Sequence, residues 1–373
     1  MSKENFKILF ISRAYPPIFG GIENQNYGIA NSLAEIADTK IIANKKGKKN
    51  LPLFIPYIFI YLLFNSRKYD VILFGDGVLA PLGQWVKWFN KKTKFASIVH
   101  GLDITYAYKK SLMGKIYRAI NIPALKKLDK LIAVGNYTVK ESIKIGIKKE
   151  KCIFIPNGIY PDEYFKSHTR EELAKLIDMN LTGKKVIFRM GRFVPHKGVH
   201  WFIEKVMPKL PENFVFIAMG GRVSKSTAGD EDSFVLSEKA VKKNNLENRV
   251  RLLTNLTDKE KTILFNTTDL VVSPNIDIHG SMEGFGINAI ETGVCERVVL
   301  SADFQGLKDA VIDGKNGFMV PHENAEAWIG KVNELLSDDF DRVAFGKKTR
   351  EFNIKNFSWE IIAKKYLDVL RGL

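Results

Sequence analysis

The sequence has few residues that could build a covalent or metal framework. Its 373 residues include only two cysteines, Cys152 and Cys295, which lie far apart and outside any metal-ligand pattern. We therefore expect no disulfide framework, and a reducing, cytoplasmic compartment. No apolar run approaches the ~20 residues of a membrane span. The start of the chain, Met1–Asn5, leads into a short apolar strand and lacks the apolar core of a signal peptide.

Acidic residues are scarce in the first part of the chain. Residues 1–160 contain 26 Lys and Arg against 10 Asp and Glu, a balance of +16, whereas the remainder contains 31 of each. All of the net charge of +16 therefore lies in the first half. This asymmetry indicates an anionic partner there, such as a membrane surface, a phosphorylated lipid or nucleic acid; a merely basic surface is the alternative.

Short apolar runs alternate with helical patterns along most of the chain, which predicts parallel sheets built from βαβ units. The pattern restarts after a polar stretch at residues 161–183, so we expect two doubly wound α/β domains, 1–162 and 163–356. Such sheets bind ligands at the carboxyl ends of their strands, in a crevice. The predicted strands are 7–11, 40–43, 70–74, 95–100, 130–134 and 152–155, then 186–190, 214–219, 250–253, 270–273, 298–301 and 318–320.

The segment Leu51–Phe64 has 14 residues without a charge, and lysines at 45, 46, 48 and 49 precede it. It is either a helix packed on the first sheet or a helix in the membrane interface beside a basic cluster. The segment Trp85–Lys92 combines aromatic and cationic residues as interfacial segments do, although core packing explains at least one tryptophan equally well.

Two glutamates with seven residues between them stand out in the second half of the chain. Glu283 precedes Gly284-Phe285-Gly286, and Glu291 follows in a predicted helix. The glycines allow a close approach to the backbone, and a helix start favours an anion. The segment thus has carboxylates that accept hydrogen bonds from hydroxyl groups beside N–H groups that donate to an anion, and this combination indicates a nucleotide sugar. The same spacing of glutamates also occurs by chance on a solvated helix face.

Three other loops follow predicted strands. Arg192 and Lys197 lie in Gly191–Gly198 and could together neutralise a diphosphate without a metal ion. Gly20-Gly21 precedes a predicted helix and could approach a phosphate, although it is not the G-x-G-x-x-G fingerprint of a dehydrogenase. His100 closes a strand and is followed by glycine, and it could be structural or catalytic. Alternatively, Arg192 and Lys197 are ordinary surface cations, Gly20-Gly21 is only a turn, and His100 is structural.

The chain resembles the retaining glycosyltransferases of family 4, which have the GT-B fold. The resemblance rests on motifs spread over nearly the whole length: Pro17–Glu23, His100-Gly101, Ile155–Gly158, Gly191–Gly198, Ser273-Pro274, Glu283–Glu291, Asp313–Pro321 and Phe357–Glu360. It implies two Rossmann-like domains facing each other across a central crevice. It also implies that the first domain binds the acceptor, the second binds the donor, and the final helix, about 357–373, packs on the first domain.

The resemblance also implies roles for the matching residues. Glu283 would contact the donor sugar, with the Gly284–Gly286 backbone beside it, and Glu291 would hold the ribose hydroxyls. Arg192 and Lys197 would bind the departing diphosphate. His100 would lie near the reaction centre, and Gly20-Gly21 would bind phosphates or the acceptor. The binding set is thus Gly20, Gly21, Arg192, Lys197, Glu283, Gly284, Phe285, Gly286 and Glu291.

Some positions depart from the family pattern. His196 stands where glutamate is usual, Gln305 where one glycine of a pair is usual, and Asp309 where glutamate is common. Glu296 and Val298 replace the customary glycine and proline that end the helix after Glu291. These departures place local loop geometry in question more than catalysis.

From these features we expect a glycosyltransferase that moves a hexosyl unit from a UDP- or GDP-sugar to a lipid-linked or polysaccharide acceptor. No convincing D-x-D motif is present, so no metal or other cofactor is expected. The basic first domain suits an anionic membrane, hence a peripheral location on the inner face of the cell membrane and no nucleic-acid partner. The alternatives are an epimerase or phosphorylase of the same fold, or a non-catalytic sugar- or nucleic-acid-binding protein.

Overall fold

The computed structural model describes residues 4–18, 20–223 and 232–373. The N-terminal start (residues 1–3) and Phe19 of the Pro17–Glu23 motif lie outside these residues. The chain divides into two compact units. The first unit comprises residues up to Ile159 together with Gly280–Phe285 and Phe357–Leu373, and the second comprises Tyr160–His279 and Gly286–Asn356.

The first unit contains a six-stranded parallel sheet in the order β2-β1-β3-β4-β5-β6. The inner strands β3, β4 and β5 are apolar and buried almost throughout, as expected for parallel strands covered on both faces, whereas the edge strand β2 is partly exposed. The elements are β1 (Glu4–Ser12), α1 (Gly21–Ile36), β2 (Ala37–Ala43), α2 (Leu51–Asn65), β3 (Val71–Phe74), α3 (Ala80–Lys87), β4 (Lys94–Val99), α4 (Leu102–Thr105), α5 (Leu112–Lys127), β5 (Lys130–Ala133), α6 (Asn136–Lys144) and β6 (Cys152–Phe154).

The second unit repeats this architecture with the strand order β12-β11-β10-β7-β8-β9, again parallel throughout. Its core lies between the sheet and its helices, around Phe202, Phe216 and Trp328. The elements are α7 (Pro161–Tyr164), α8 (Arg170–Leu176), β7 (Lys185–Met190), α9 (Val199–Lys205), β8 (Phe214–Met219), α10 (Ser233–Lys243), β9 (Val250–Leu253), α11 (Asp258–Thr267), β10 (Leu270–Ser273), α12 (Ile287–Gly293), β11 (Val298–Asp303), α13 (Leu307–Ala310), β12 (Phe318–Pro321), α14 (Ala325–Leu336) and α15 (Arg342–Phe357).

The last helix, α16 (Trp359–Arg371), belongs to the first unit and packs against α1. The ring of Trp359 lies directly against Gly28 of α1 and against Gly158, where an added side chain would overlap the indole. The side chain of Gln25 binds both the N–H and the carbonyl of Gly158, at 3.2 and 3.3 Å. Glycine at these two positions therefore lets the C-terminal helix dock closely.

All twelve predicted strands are present, with ends that differ by up to three residues. The segment Gly280–Phe285, which the sequence groups with residues 163–356, packs instead with the first unit. Two close contacts explain this: Gly284 lies against the carbonyl of His100, and Met282 against Gly101. Phe285 also packs edge-on to Phe357, with ring centroids 5.8 Å apart.

Candidate active site

His100 directly follows β4 at the carboxyl end of the first sheet. Its Nε2 lies 2.9 Å from the carbonyl oxygen of Gly75, which follows β3. A carbonyl only accepts, so Nε2 carries the proton and Nδ1 is left as the second polar atom of the ring. The ring is thus oriented by the neighbouring strand end, as expected for a histidine that contacts a ligand.

An ion pair that the sequence analysis missed lies beside His100. Arg13, just after β1, donates through Nε to Asp76 Oδ1 at 2.9 Å, and the Asp76 carboxyl group is fully buried. Burial raises the pKa of Asp76, against the opposing effect of Arg13. Asp103 Oδ2 accepts from the N–H of His100 at 3.0 Å and of Gly77 at 3.3 Å. These carboxylates tie the ends of β1, β3 and β4 together around His100.

Glu283 lies in the segment that packs on this sheet end. An added side chain on Gly284 would come within 2.7 Å of the carbonyl oxygen of His100, so glycine is needed for this approach. Glu283 itself is buried, as is the side chain of Phe285 against Phe357. Phe285 therefore has only its backbone for the predicted sugar contact, while Glu283 and His100 are brought to the same part of the unit.

Gly20 and Gly21 begin α1 after β1. Gly20 is the N-cap residue and its backbone is extended, and Gly21 is exposed with open space around its α-carbon. The side chain of Glu23 folds against Gly20. The N–H groups at this helix start are thus next to a carboxylate, which disfavours a phosphate there unless Glu23 moves.

In the second unit, the Gly191–Gly198 loop follows β7 and is held on both sides. Phe193 N–H donates to the carbonyl of Gly221 at 2.9 Å, and Ile276 N–H donates to the carbonyl of His196 at 3.0 Å. The buried side chain of Arg189 donates to the carbonyl of Gly191 at 2.8 Å. Gly198 has φ 68° and contacts the carbonyl of Pro274. The loop is therefore fixed to the ends of β8 and β10.

The two predicted diphosphate-binding cations differ in exposure. The side chain of Arg192 is exposed and makes no hydrogen bond or ion pair with the residues that the structure describes. Lys197 is half-buried at the end of the short 3-10 turn Pro195–Lys197. A cation on a rigid loop at a strand's carboxyl end is well placed to bind a phosphate.

Glu291 is buried in α12 and only one of its oxygens is engaged by protein. Oε1 accepts from the hydroxyl of Tyr164, in α7, at 3.0 Å, while Oε2 has no partner among the described residues. Burial raises the pKa of Glu291 to about 7, although the Tyr164 hydrogen bond and the charge of Lys261 oppose this shift. This buried oxygen can therefore accept a hydrogen bond from a hydroxyl group of a ligand. Tyr164 had no signal in the sequence.

The α12 helix and the Gly191–Gly198 loop meet the same strand end. Asn288 of α12 donates to the hydroxyl of Ser273, the last residue of β10, at 3.0 Å. His196 is bonded to Ile276, three residues further on. Gly286 begins the helix with φ 83°, a left-handed conformation that favours glycine. The loop that carries Arg192 and Lys197 and the helix that carries Glu291 therefore both contact the carboxyl end of β10 or the residues just after it.

Two departures from the family pattern occupy the backbone conformation that glycine would take. Glu296 has φ 58° and Gln305 has φ 41°. Local loop geometry was in question at Glu296, and at both positions the structure has the left-handed backbone conformation without the glycine. Such residues cost of order 1 kcal/mol each.

Within residues 4–18, 20–223 and 232–373, no three His, Cys, Asp or Glu side chains come together in a way that could hold a metal ion. The independence from metal stays a prediction. The missed residues Arg13, Asp76 and Asp103 each follow a predicted strand closely, and this shared position was the signal that could have found them.

Two family models match the chain in succession. Residues 7–163 match the model described as Glycosyltransferase Family 4, and residues 176–352 match Glycosyl transferases group 1. A curated relative is the poly(ribitol-phosphate) alpha-N-acetylglucosaminyltransferase of Staphylococcus aureus (strain COL), 25% identical over 100% of this chain and 68% of the relative.

Another relative is the N,N'-diacetylbacillosaminyl-diphospho-undecaprenol alpha-1,3-N-acetylgalactosaminyltransferase of Campylobacter jejuni subsp. jejuni serotype O:2. It is 25% identical over 78% of this chain and 72% of its own length. Among solved structures, Anabaena HepE in complex with UDP and glucose superposes with a TM-score of 0.77 at 19% identity, over 99% of this chain and 100% of the other. This likeness shows the fold, GT-B with two Rossmann-like domains. The chain belongs to the family 4 glycosyltransferases and is a glycosyltransferase.

Proposed function

We propose that this enzyme transfers a hexosyl unit from a UDP- or GDP-sugar to a membrane-associated acceptor, lipid-linked or polysaccharide, with retention of configuration and without a metal ion. The observation that carries the proposal is the buried carboxylate of Glu291, whose Oε1 accepts from Tyr164 and whose Oε2 has no partner among the described residues. A ribose hydroxyl would supply the missing hydrogen bond. The exposed side chain of Arg192 pairs with none of residues 4–18, 20–223 and 232–373, and it lies on the loop that contacts the segment after β10.

The donor's diphosphate would be bound by Arg192 and Lys197. As the bond to the sugar breaks, negative charge grows on the departing diphosphate, and fixed cations lower the barrier because they need no reorganisation. Glu283 would accept hydroxyls of the sugar, and His100 would contact it through the ring whose tautomer Gly75 sets. Since none of these residues is assigned as a nucleophile, we propose front-side attack by the acceptor hydroxyl on the face that the diphosphate leaves. The bond from the sugar to the diphosphate breaks as the bond to the acceptor oxygen forms, and the hydroxyl proton passes to the departing diphosphate.

Support for retention comes from the names of the two relatives, which both specify an alpha-linked product. A nucleotide sugar with an alpha-linked diphosphate gives an alpha-linked product only when configuration is retained. The NMR coupling of the anomeric proton in the product tests this directly. A beta-linked product from an alpha-linked donor would contradict it.

Support for the acceptor comes from charge and from the same relatives. One is named for poly(ribitol-phosphate) and the other for a diphospho-undecaprenol substrate, both anionic polymers or lipids. The whole excess of positive charge lies in residues 1–160, which form most of the first unit. We propose that the enzyme acts on such an acceptor at the inner face of the cell membrane.

The first experiment is a thermal-shift screen against UDP- and GDP-sugars with and without EDTA, followed by an assay for released nucleoside diphosphate. A donor present at about 100 times its dissociation constant should stabilise the protein by about 2.7 kcal/mol. Diphosphate release that depends on an added acceptor separates a transferase from an epimerase or phosphorylase. Stabilisation or turnover that disappears with EDTA would contradict the metal-independent reaction.

A further inference from the structure

The helix α2 has an apolar surface on all sides, although one side faces solvent. Phe54, Ile58 and Leu62 are buried on the first sheet. On the opposite side Leu53 is 74% exposed and Phe64 is 80% exposed. A helix that is apolar all round normally lies in a protein core or a membrane. The structure confirms that α2 packs on the first sheet, whereas a location in the membrane interface stays a prediction.

Two neighbouring helices extend this uncovered surface. Trp85 of α3 packs edge-on to Phe59 of α2, with centroids 5.7 Å apart, and Trp88 and Phe89 follow α3 on the exposed side. Helix α3 also packs against α5. We call the combined surface the apolar face, and its exposed members are Leu53, Tyr57, Ile60, Leu63, Phe64, Trp85, Trp88, Phe89, Leu112, Met113, Ile116 and Ile120.

The surroundings of the apolar face are cationic and nearly free of acid. Residues 40–128 contain 17 Lys and Arg but only Asp70, Asp76 and Asp103. Two of these three aspartates are buried. None of α2, α3 and α5 contains an acidic residue. A protein partner with ordinary mixed charge gains nothing special here, whereas an anionic surface is attracted along the whole face.

The cations lie at both ends of α2. At its start, four lysines at 45, 46, 48 and 49 occupy the loop after β2. At its end, Arg67 donates to the carbonyl of Phe89 at 3.1 Å and thereby joins the apolar face to a cleft of about 450 Å³. That cleft is lined by six cationic residues, Lys7, Arg67, Lys68, Lys92, Lys94 and Arg371, and by one acidic side chain, Asp70. An anionic headgroup fits a cleft with this many donors.

We propose that the apolar face docks the enzyme on an anionic lipid bilayer, with α2 lying in the plane of the interface and its two cationic ends on headgroups. This inference deepens the proposed function, on which it rests for the need to reach a membrane. In the described part of the chain, no helix combines the length and hydropathy needed to cross a bilayer. The helix α2 has 15 residues and is roughly 22 Å long, with Tyr57 exposed on its outer side and Trp85 of α3 packed beside it. Such a helix is suited to lie along the surface.

The test is co-sedimentation of the full-length protein with vesicles of phosphatidylcholine alone or with 30–40% phosphatidylglycerol, roughly the range used to mimic anionic leaflets. The wild type should bind the anionic vesicles, and binding should weaken as salt rises. Brominated acyl chains should quench its tryptophan fluorescence, because Trp85 and Trp88 are the exposed tryptophans among the described residues.

Two pairs of variants make the test specific. Phe64→Asn with Trp88→Asn should lower vesicle binding at least tenfold, whereas Val343→Asn in the second unit, at a side chain 66% exposed, should not. Lys48→Glu with Lys49→Glu should also lower binding at least tenfold, whereas Lys347→Glu with Lys348→Glu should not, although the net charge changes equally.

Nucleotide binding separates this proposal from the proposed function. In all these variants the thermal shift with UDP or GDP should equal that of the wild type. Wild-type protein that ignores anionic vesicles, or binds neutral ones equally, overturns the docking face while leaving the transferase proposal in place. The docking face is also overturned if light scattering shows a wild-type dimer that the Phe64/Trp88 variant does not form, and the wild type does not bind vesicles. The apolar face would then contact a second copy of the chain.

Discussion

The two units have the same kind of sheet and very different surfaces. Each has six parallel strands with helices on both faces. Yet seventeen of the twenty large apolar side chains that the described residues expose lie in the first unit, and so does the whole net charge. In the second unit, α8 and α11 begin with capping boxes at Thr169 and Thr257. The shared sheet architecture explains why the candidate residues of both units lie at strand ends. The different surfaces indicate that the two units bind different partners.

The largest expected effect concerns the second unit. Arg192→Ala should lower kcat/KM by about 10²–10³, because the variant lacks a fixed cation at the departing diphosphate. Since Arg192 is exposed and unpaired within the described residues, stability should hardly change. The matched control is Lys242→Ala, another exposed cation of the same unit. Equal turnover of Arg192→Ala and wild type would remove the diphosphate site from the second unit.

The next effect concerns the strand ends of the first unit. Arg13→Ala should reduce the free energy of unfolding in urea by about 3 kcal/mol, because it leaves the buried carboxylate of Asp76 without its partner. Asp76 already has a raised pKa from burial, so the variant's deficit should grow as pH rises and the carboxyl group ionises. Arg118→Ala, an exposed position on α5, should change stability by less than about 0.5 kcal/mol. A deficit independent of pH would speak against the charge explanation.

A smaller effect tests whether Glu291 is a ligand-binding group held at a cost. Its pKa is raised to about 7 in the folded protein, so the folded state is disfavoured as pH rises from about 4.5 to 7. Glu291→Gln should therefore stabilise the unliganded protein by about 1–3 kcal/mol at pH 8, with no gain at pH 4.5, while weakening UDP or GDP binding.

Tyr164→Phe is the companion variant. It removes the hydrogen bond that favours the charged carboxylate, so nucleotide affinity should fall several-fold at pH 6.5 and recover partly at pH 8.5. Tyr27→Phe in the first unit, an exposed tyrosine, should be without effect at either pH. If Glu291→Gln and Tyr164→Phe both bind nucleotide like the wild type at both pH values, Glu291 has no part in the site.

The smallest expected effect is local. Glu296→Gly should raise the free energy of unfolding by about 0.5–1 kcal/mol, because φ at this position is 58° and glycine adopts that conformation without strain. Asp178→Gly, at φ 48°, is a matched control in an exposed turn and should gain a similar amount. A loss of stability in Glu296→Gly alone would indicate that the side chain of Glu296 makes a stabilising contact, and would contradict the explanation from backbone strain.

Much of the fold was predictable, because strands in a parallel sheet leave continuous apolar runs. Val186–Met190 and Phe214–Met219 were placed within a residue of their ends for this reason. The family motifs then placed Arg192, Lys197 and Glu291 after strands or in the following helix, and in the structure that loop and that helix both contact the end of β10 or the residues just after it.

The rest depends on contacts between distant parts of the chain. Tyr164 reaches Glu291 across 127 residues, and Arg13 reaches Asp76 across 63. Neither pairing has a period or spacing that a sequence displays. The packing of Gly280–Phe285 on the first unit rests on the missing side chain of Gly284, which only the position of His100 explains.

The most direct measurement is the transfer of a radiolabelled hexose from UDP- and GDP-sugars into the lipid-extractable and polymer fractions of bacterial membranes. The wild type should incorporate label with equal release of nucleoside diphosphate, in the presence of EDTA, and Arg192→Ala should abolish both. Diphosphate release without incorporated label, or undiminished incorporation by Arg192→Ala, would contradict a transferase whose second unit binds the donor.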